Sequence, residues 1–429
     1  MEKSSPVIEE VGKKKRRVVI TGIGVISPIG IGKETFWEGI QEGRSGGGRI
    51  TSFKDSFIPV KIAAEVKDFN PLEYMDRKCV KRTDRASQFA IAASRMAIED
   101  ANIDLSNENP QKFGVVIGAG VGGFAFGEDQ HLKYLRKGYK TVSPFLAVIM
   151  FGGAVSSMVS YELKLKGRSI TISTGCTGAT DAIGHAFETI QNEDVDLIIT
   201  GGAEAPIRPA IIASFARMGG VLSTYNDKPE IASRPFDKLR DGMVISEGAG
   251  SLILEEIEHA LKRNAHIYAE ILGYAATDDA YHISTPAPDG IEAIRAITLA
   301  LQKANVKPED VDYINAHGTA TILNDKTETL VIKKLFGEHA YKLKVSSTKS
   351  MLGHSIGAAG AHQLVTCALA MENKFIPPTI NYEYEDPECD LDYVPNKGHK
   401  GNIDVIVVNT CGFGGKNSAL VIRRFKAKD

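Results

Sequence analysis

One pattern occurs twice in this 429-residue chain: an apolar strand ends in a turn of small residues, and a long helix begins directly after the turn. The first copy spans residues 169–190 and the second spans residues 344–371. The turn at Gly118 has a similar counterpart at His317-Gly318. This repeat is longer than the unit of any solenoid. We therefore predict a duplicated α/β unit whose corresponding turns meet at one central site.

Strands and helices also alternate outside these two segments. A chain of this length usually needs more than one core, which agrees with a fold built from two halves. The predicted strands are at residues 18–26, 113–117, 195–200, 251–255 and 267–273 and near residues 311, 345, 405 and 420. The predicted helices are at residues 35–42, 85–101 and 290–304.

Cys176 lies in the first repeated turn, where a β-branched strand pattern ends at Gly175 and a helical pattern follows. A side chain at such a turn faces a substrate cleft, and the free N–H groups of the following helix favour the thiolate form. His317 and His354 lie beside glycine at the ends of two later strands. Because side chains at strand ends converge on one cleft, we expect these three residues to form an active site with Cys176 as its nucleophile.

The other cysteines are interpreted as buried, unreactive small side chains, which is the usual state of this residue type. They are Cys79, Cys367, Cys389 and Cys411. Several histidines are interpreted as ordinary structural or solvated side chains. They are His131, His185, His259, His266, His339, His362 and His399. Five cysteines without regular spacing are typical of a reducing compartment, so we expect a cytoplasmic protein.

Composition excludes several classes of protein. A net charge of −2, 43% hydrophobic residues and 24% charged residues are unlike a disordered chain and provide no overall attraction to nucleic acid. Residues 1–17 lack the apolar stretch of a signal peptide, and no apolar run reaches the length of a membrane span. The apolar run at residues 142–151 is about half that length, and we expect it in a core or a subunit interface.

Two other motifs could bind a cofactor or a metal, but neither interpretation is favoured. Residues 118–123 match the glycine pattern of a dinucleotide-binding turn, yet residues 124–129 do not begin a convincing helix. Cys176, His317 and His354 could ligate zinc, but structural zinc ligands usually come in closely spaced pairs. We therefore predict no bound cofactor and no metal.

Six short motifs together resemble the β-ketoacyl-acyl-carrier-protein synthases of the thiolase fold over residues 17–425. They are Gly175-Cys176-Thr177, Asn315-Ala-His317-Gly-Thr319, Asn324-Asp325-Lys-Thr-Glu328, Ser347-Thr-Lys349-Ser-Met-Leu-Gly-His354, Gly357-Ala-Ala-Gly360 and Cys411-Gly-Phe413-Gly-Gly415. The resemblance implies an α/β fold with two pseudo-symmetric halves in a layered α/β/α/β/α arrangement. We expect an N-terminal half at residues 17–265 with the nucleophile, a C-terminal half at residues 266–425 with both histidines, and a disordered or solvated tail at residues 1–16.

Two branches of this family compete. Residues 173–185 and Asp386-Pro-Glu-Cys-Asp390 look more like the ketosynthase-alpha subunits of type II polyketide synthases. His317-Gly-Thr319 is closer to the fatty-acid enzymes, whereas Cys411 and Lys416 depart from their pattern. We expect a polyketide ketosynthase that forms a heterodimer with a homologue lacking the cysteine, the chain-length factor. The alternative is a homodimeric fatty-acid β-ketoacyl-acyl-carrier-protein synthase II.

The expected chemistry joins two acyl groups by decarboxylative condensation. The Cys176 thiol accepts one group as a thioester, and decarboxylation of a malonyl thioester turns the other into an enolate. The Nε2–H groups of His317 and His354 would stabilise the enolate oxygen. The backbone N–H groups of Cys176 and Phe413 would hold the acyl thioester oxygen, since the glycines beside Phe413 let the main chain approach.

Three charged residues complete the site by resemblance to the family. Lys349 resembles the active-site lysine and would order the network together with Glu328, and Asp325 is a plausible structural partner. A buried ion pair that only holds two loops together remains an equal alternative.

The resemblance also implies that substrates arrive on the phosphopantetheine arm of an acyl carrier protein. Thr319 and Thr321 resemble the residues that bind this arm. Four cations spaced at i, i+3, i+4 and i+7 would lie on one face of a helix and could dock an acidic carrier. They are Lys78, Lys81, Arg82 and Arg85. The alternative is an ordinary solvated basic face.

Overall fold

The computed structural model describes residues 15–54, 57–192 and 195–426. Most of the predicted tail, residues 1–14, lies outside the described residues. Arg16, at the end of that tail, donates a hydrogen bond to the carbonyl oxygen of Val195 at 2.8 Å. The tail therefore ends in a contact with the folded part of the chain.

The strands and helices are numbered here in chain order. The strands are β1 Val18–Ser27, β2 Gly30–Ile31, β3 Gly48–Arg49, β4 Ile62–Ala63, β5 Phe113–Gly118, β6 Ser169–Ile172, β7 Leu197–Glu204, β8 Gly248–Glu256, β9 Ala269–Asp278, β10 Tyr313–Asn315, β11 Lys344–Ser346, β12 Phe375–Ile376, β13 His399–Lys400, β14 Val405–Gly412 and β15 Lys416–Arg424. The α-helices are α1 Lys33–Glu42, α2 Arg77–Arg82, α3 Arg85–Asp100, α4 Phe124–Lys137, α5 Leu146–Ile149, α6 Ala154–Leu163, α7 Gly178–Asn192, α8 Pro209–Arg217, α9 Ile257–Lys262, α10 Ile291–Ala304, α11 Ile322–Phe336, α12 Lys349–Leu352 and α13 Ala359–Asn373.

The main sheet confirms the predicted duplication. Its strand order is β6-β5-β7-β8-β1-β9-β15-β14-β10-β11. Each half contributes five strands to this order. Counted along the chain within each half, they follow one another outward from the centre as first, fifth, fourth, second and third. In each half the fifth strand, β8 or β15, is antiparallel to both neighbours, and the outer three strands are parallel. The halves join where β1 pairs with β9 over Val18–Ile20.

Two helices form a central layer between the halves of the sheet. α7 packs on β5 and β7 of the N-terminal half and on β9 and β15 of the C-terminal half, and α13 packs on β8 and β14. α3 and α6 cover the outer face of the first half, and α10 covers that of the second. The predicted α/β/α/β/α layering is therefore present. The largest core cluster lies in the middle, around Ile183 and Phe187 of α7 and Leu364 and Val365 of α13.

Small residues allow the central helices to approach closely. A Cβ atom added to Gly360 of α13 would lie 2.1 Å from the Thr180 hydroxyl oxygen of α7. α13 is mostly apolar and is buried on every side, with all of its residues from Ala359 to Met371 buried. A helix that is apolar all round belongs in a core. This packing brings the N-terminal ends of α7 and α13, and hence the two repeated turns, together.

The predicted continuous helix with four cations on one face is wrong. α2 ends at Arg82, Thr83 is extended, and α3 begins at Arg85. Asp84 causes this break, because its carboxylate accepts a hydrogen bond from the N–H of Ser87 at 3.1 Å and caps the new helix. Lys78 and Lys81 therefore lie on a different helix from Arg85.

Candidate active site

Cys176 lies between a strand and a helix, as predicted. β6 ends at Ile172, a single 3₁₀ turn spans Gly175–Thr177, and α7 follows directly. Gly175 has a φ of 65°, a conformation that suits glycine. Cys176 is only 7% exposed, and its side chain lines the wall of a cavity of about 600 Å³.

This cavity brings together most of the predicted site residues. Besides Cys176 it is lined by His317 and His354, by Thr319 and Thr321, and by Phe413. The two turns of the C-terminal half thus face the nucleophile of the N-terminal half. Asp325 and Glu328 do not line this cavity, so their contribution must pass through other groups.

The two histidines stand side by side. Their ring centroids lie 5.3 Å apart with an interplanar angle of 86°. His354 Nδ1 accepts a hydrogen bond from the N–H of Ile356 at 3.2 Å, which places the ring proton on Nε2. Burial, together with the Lys349 charge, holds the pKa of both histidines well below its usual range. Both rings are therefore neutral at neutral pH and can donate hydrogen bonds without carrying a charge.

Phe413 lies in the loop between β14 and β15. Its N–H group and the N–H group of Cys176 lie near the Cys176 sulfur, and both lower the pKa of the thiol against the effect of burial. The end of β14 lies against the nucleophile turn, since a Cβ atom added to Gly412 would lie 3.4 Å from the Cys176 nitrogen. The two N–H groups predicted to stabilise the acyl oxygen therefore converge beside the nucleophile. The Phe413 ring stacks on Phe215 with centroids 6.1 Å apart.

Cys176 is a thiol at rest, contrary to the expected thiolate. Burial raises the pKa of the Cys176 thiol to about 11, and the Lys349 charge and the Phe413 N–H oppose this rise only in part. The helix that follows does not overcome the loss of water around the sulfur. The thiol must therefore lose its proton during the reaction.

Glu328 and Asp325 hold the main chain around His317. Glu328 accepts hydrogen bonds from the N–H groups of His317 and Gly318, each at 2.7 Å. Asp325 accepts from the N–H of Thr319 at 3.1 Å. Asp325 also lies 3.7 Å from Arg240 Nε, so the buried ion pair at this place is Arg240–Asp325.

Lys349 is buried, and its Nζ donates a hydrogen bond to Gln363 Oε1 at 3.1 Å. Glu328 attracts Lys349 through space, while burial lowers the pKa of Lys349 to about 8. The expected link between Lys349 and Glu328 is thus electrostatic, and the direct partner of Lys349 is Gln363. Sequence reasoning did not select Gln363, because a glutamine within an apolar helix carries no motif.

Glu204 is a second functional residue that sequence reasoning missed. Its carboxylate accepts hydrogen bonds from the N–H groups of Gly120 at 2.5 Å, Val121 at 3.2 Å, Gly122 at 3.2 Å and Gly357 at 3.0 Å. It therefore ties the Gly118–Gly123 turn to the turn that follows His354. The only sequence signal was the acidic end of the Gly201-Gly-Ala-Glu204 strand.

The contacts of Glu204 also bear on dinucleotide binding by the glycine turn. A helix does follow the glycine turn, since α4 begins at Phe124, so the sequence argument on this point is wrong. However, the N–H groups that would bind a phosphate are occupied by Glu204. The protein's own carboxylate occupies the anion-binding position of this turn.

The remaining cysteines divide into two groups. Burial raises the pKa of Cys79 and Cys389 to about 12 and that of Cys367 further, which agrees with the interpretation as unreactive side chains. Cys411, however, lines the active-site cavity and is partly exposed. It was expected to be buried away from the site.

The four predicted docking cations differ in their surroundings. Lys78 and Lys81 are exposed on α2. The Arg82 guanidinium lies 5.3 Å from the centroid of the Phe145 ring. Arg85 forms an ion pair with Glu247 at 2.7 Å. Of the four, Lys78 and Lys81 form no ion pair or ring contact among the described residues, so they are the most available to an acidic partner.

No helix in residues 15–54, 57–192 and 195–426 is long and apolar enough to cross a membrane. Within the same ranges, no three or more His, Cys, Asp or Glu side chains are grouped so that they could hold a metal ion.

Comparison with known proteins identifies the family. The β-ketoacyl synthase N-terminal domain model matches residues 15–260, and the β-ketoacyl synthase C-terminal domain model matches residues 268–383. The 3-oxoacyl-[acyl-carrier-protein] synthase 2 of Synechocystis sp. (strain PCC 6803) is 47% identical over 413 residues, which cover 96% of this chain and 99% of that protein. The protein of the same name from Coxiella burnetii is 46% identical over 96% of this chain and 99% of its own length.

Two solved ketosynthase structures have the same fold. One is the type II polyketide synthase complex AntDE:AntF, described as an acyl-carrier protein with its ketosynthase bound to the hexaketide, and the other is the ishigamide ketosynthase/chain length factor. Each matches with a TM-score of 0.89 and 36% sequence identity, over 96% of this chain and 100% of the solved chain.

Proposed function

This chain belongs to the β-ketoacyl synthase family, and we propose that it extends saturated acyl chains on an acyl carrier protein as a fatty-acid enzyme of the synthase 2 type. The observation that carries the proposal is the 47% identity over nearly the whole chain to a 3-oxoacyl-[acyl-carrier-protein] synthase 2. The expected polyketide activity has the weaker support, from solved structures at 36% identity. The comparisons thus favour the fatty-acid alternative over our first expectation.

In the first half-reaction the Cys176 sulfur attacks the carbonyl carbon of the incoming acyl thioester. A bond forms between this carbon and Cys176, and the bond from the carbon to the carrier sulfur breaks. The N–H groups of Cys176 and Phe413 stabilise the oxyanion of the tetrahedral intermediate, which exists after the first bond has formed and before the second has broken. The thiol proton of Cys176 is transferred to the departing carrier thiolate. The Lys349 ammonium lowers the pKa of Cys176 and favours this step.

In the second half-reaction a malonyl thioester loses carbon dioxide. The electrons of the broken carbon–carbon bond form an enolate, whose oxygen accepts hydrogen bonds from His317 and His354. The enolate carbon attacks the carbonyl carbon of the Cys176 thioester, and the bond from this carbon to the sulfur breaks. The released Cys176 thiolate takes up a proton from solvent and returns to the resting thiol. Neutral imidazoles suit this role. A protonated ring would also bind the malonyl carboxylate before it is lost, and stabilising this ground state does not speed decarboxylation.

The two branches can be separated with purified components. We propose to incubate the chain with malonyl-loaded and saturated acyl-loaded carrier protein and to identify the products by mass spectrometry. Elongation by a single two-carbon unit, by this chain alone, supports the fatty-acid function. Repeated additions without reduction, seen only when a cysteine-free homologue is present, would support the polyketide function instead. The Cys176→Ala variant should form neither acyl-enzyme nor product.

A homodimer is proposed from an apolar surface on α4, α5 and α6, the dimer surface. Its members are large apolar side chains exposed to solvent: Phe124, Leu132, Tyr134, Leu135, Tyr139, Val148, Met150, Phe151 and Tyr161. α4 packs on α5 and α5 packs on α6, so these side chains belong to one region. A contiguous patch of exposed apolar side chains usually marks a protein interface. The run at residues 142–151, predicted to lie in a core or an interface, forms its centre.

A second copy of this chain is the occupant that we propose for the dimer surface, because the fatty-acid alternative needs no different partner. The double variant Leu135→Asp/Phe151→Asp should shift the protein from dimer to monomer in sedimentation velocity. Leu261→Asp on α9 also adds an aspartate in place of an exposed leucine, and it should leave the dimer intact. A monomeric wild-type protein, or a dimer unaffected by the double variant, would refute this assignment.

A further inference from the structure

We propose that Gln363 is a positioning residue, which holds the Lys349 ammonium group near Cys176 with a neutral acceptor so that its charge remains available to the thiolate. This inference rests on the proposed function only in that Cys176 is the residue that receives the acyl group. Its test below uses no acyl substrate.

Gln363 reaches the site from the central helix α13 and is 1% exposed. Its Oε1 accepts the hydrogen bond of Lys349 Nζ at 3.1 Å. Its Nε2 donates to the carbonyl oxygens of Asn315 at 3.1 Å, Ala316 at 3.0 Å and Asn409 at 3.2 Å. Gln363 therefore links Lys349 to the ends of β10 and β14.

The three carbonyl oxygens determine the orientation of the amide. A carbonyl oxygen accepts a hydrogen bond but cannot donate one, so the group facing all three must be the NH₂ group. The Oε1 atom is then left to face Lys349. A buried ammonium group needs an acceptor, and here the acceptor carries no net charge.

Titratable groups face Lys349 from each element packed around it. They are Asp325 and Glu328 of α11, Cys176 of the nucleophile turn, Cys411 of β14, and His317, His354 and His362.

Both carboxylates in this group are engaged by backbone donors. Glu328 accepts from the N–H groups of His317 and Gly318, and Asp325 accepts from that of Phe236 at 2.8 Å. Glu328 therefore attracts the Lys349 charge through space, while the hydrogen bond of Lys349 goes to Gln363. The Lys349 charge acts on Cys176, whose pKa it lowers against the effect of burial.

A glutamate at position 363 would have nearly the same size but the opposite effect. Its carboxylate would pair with Lys349, cancel much of the positive field at Cys176 and keep Lys349 protonated to higher pH. Gln363→Met removes the hydrogen bonds but adds no charge. These two variants separate an electrostatic role from simple packing.

The test measures the alkylation rate of Cys176 by iodoacetamide between pH 6 and pH 10, with the modified peptide identified by mass spectrometry. In the wild-type protein the rise of the rate with pH should flatten near pH 8, where Lys349 loses its proton. In Gln363→Glu this flattening should move to higher pH. The rate at pH 7 should fall about tenfold, which corresponds to a rise of about one in the thiol pKa.

Two controls complete the experiment. Gln302→Glu adds the same charge on the exposed side of α10 and should behave as the wild-type protein. Gln363→Met should slow alkylation at pH 7 less than Gln363→Glu does, because Lys349 loses its acceptor but its charge is not cancelled.

Three results would overturn the inference. They are a wild-type profile with no flattening near pH 8, a Gln363→Glu profile equal to that of Gln302→Glu, and equal losses in Gln363→Glu and Gln363→Met. The first needs no variant, so a folding defect cannot obscure it. Failure of the proposed function would be distinguishable, because it would appear as absent condensation with the alkylation profile still as expected.

Discussion

At the scale of single residues, the site is built so that neutral donors and one buried cation surround a thiol. Burial keeps Cys176 protonated and both histidines uncharged at neutral pH. Loss of water also strengthens each hydrogen bond formed within the cavity. The roles of the two histidines and of the N–H groups can therefore be separated by which half-reaction each supports.

Replacing His317 or His354 by alanine should slow malonyl decarboxylation about 10²–10³-fold, as expected for the loss of one donor to an oxyanion. Acyl transfer to Cys176 should change little, because its oxyanion is held by the N–H groups of Cys176 and Phe413. Intact-protein mass spectrometry follows acylation, and release of carbon dioxide follows decarboxylation. The exposed His399 provides the control, since His399→Ala should affect neither rate. Equal losses in both half-reactions would contradict this assignment.

Arg240→Met should destabilise the protein by about 3–5 kcal/mol, because it leaves the buried Asp325 carboxylate without its cation. Equilibrium urea unfolding measures the change. Lys426→Met, which removes an exposed partner of Asp404, should cost about 0–1 kcal/mol. Similar costs for the two variants would show that the Arg240–Asp325 pair does not hold the Thr319 loop.

At the scale of elements, short local signals decide where a helix ends. The spacing of the four cations predicted one helix, but the Asp84 cap divides it into α2 and α3. Arg85, the first residue of α3, pairs with Glu247. The carrier-docking surface that we propose is therefore reduced to Lys78 and Lys81.

The double variant Lys78→Glu/Lys81→Glu should weaken carrier binding several-fold at low ionic strength, and the loss should shrink as salt is added. Isothermal titration calorimetry at two salt concentrations measures both effects. Lys262→Glu on α9 reverses one exposed charge elsewhere and should leave the affinity unchanged. If the double variant binds as the wild-type protein does at low ionic strength, the carrier docks elsewhere.

At the scale of the whole molecule, contacts between distant segments assemble the site. The two halves place their turns together by packing α7 against α13, and Glu204 then ties the glycine turn of one half to Gly357 of the other. The Glu204 carboxylate is buried and has lost its contact with water. The ionisation of Glu204 is therefore coupled to the stability of the fold.

Burial raises the pKa of Glu204 to about 7, and its four N–H donors oppose the rise. The folded protein therefore binds this proton more tightly than the unfolded chain does, so the contribution of Glu204 to stability declines as pH rises from about 4.5 to about 7. Relative to Glu204→Gln, the wild-type protein should lose about 3 kcal/mol over that range. Urea unfolding of both proteins at pH 5 and pH 7.5 measures the difference. A constant difference would show that Glu204 keeps its ordinary pKa.

The sequence by itself was sufficient for the repeated unit and for its reactive residues. Cys176, His317 and His354 could be selected because a strand, a glycine turn and the start of a helix are local patterns, and such turns converge in an α/β fold. The family motifs also indicated Phe413, Lys349, Glu328 and Asp325. Even the Asp84 cap, which breaks the predicted basic helix, is a local signal that the cation spacing concealed.

Only the tertiary structure decided what surrounds these residues. Glu204 and Gln363 act through backbone groups that lie 46 or more positions away in the chain, and neither belongs to a pattern of neighbouring residues. The protonation of Cys176, Lys349 and Glu204 depends on burial, which a one-dimensional sequence does not contain. The physical reason is the same in both cases: hydrogen bonds and desolvation depend on which groups meet in space, whereas periodicity and turns depend on adjacent residues.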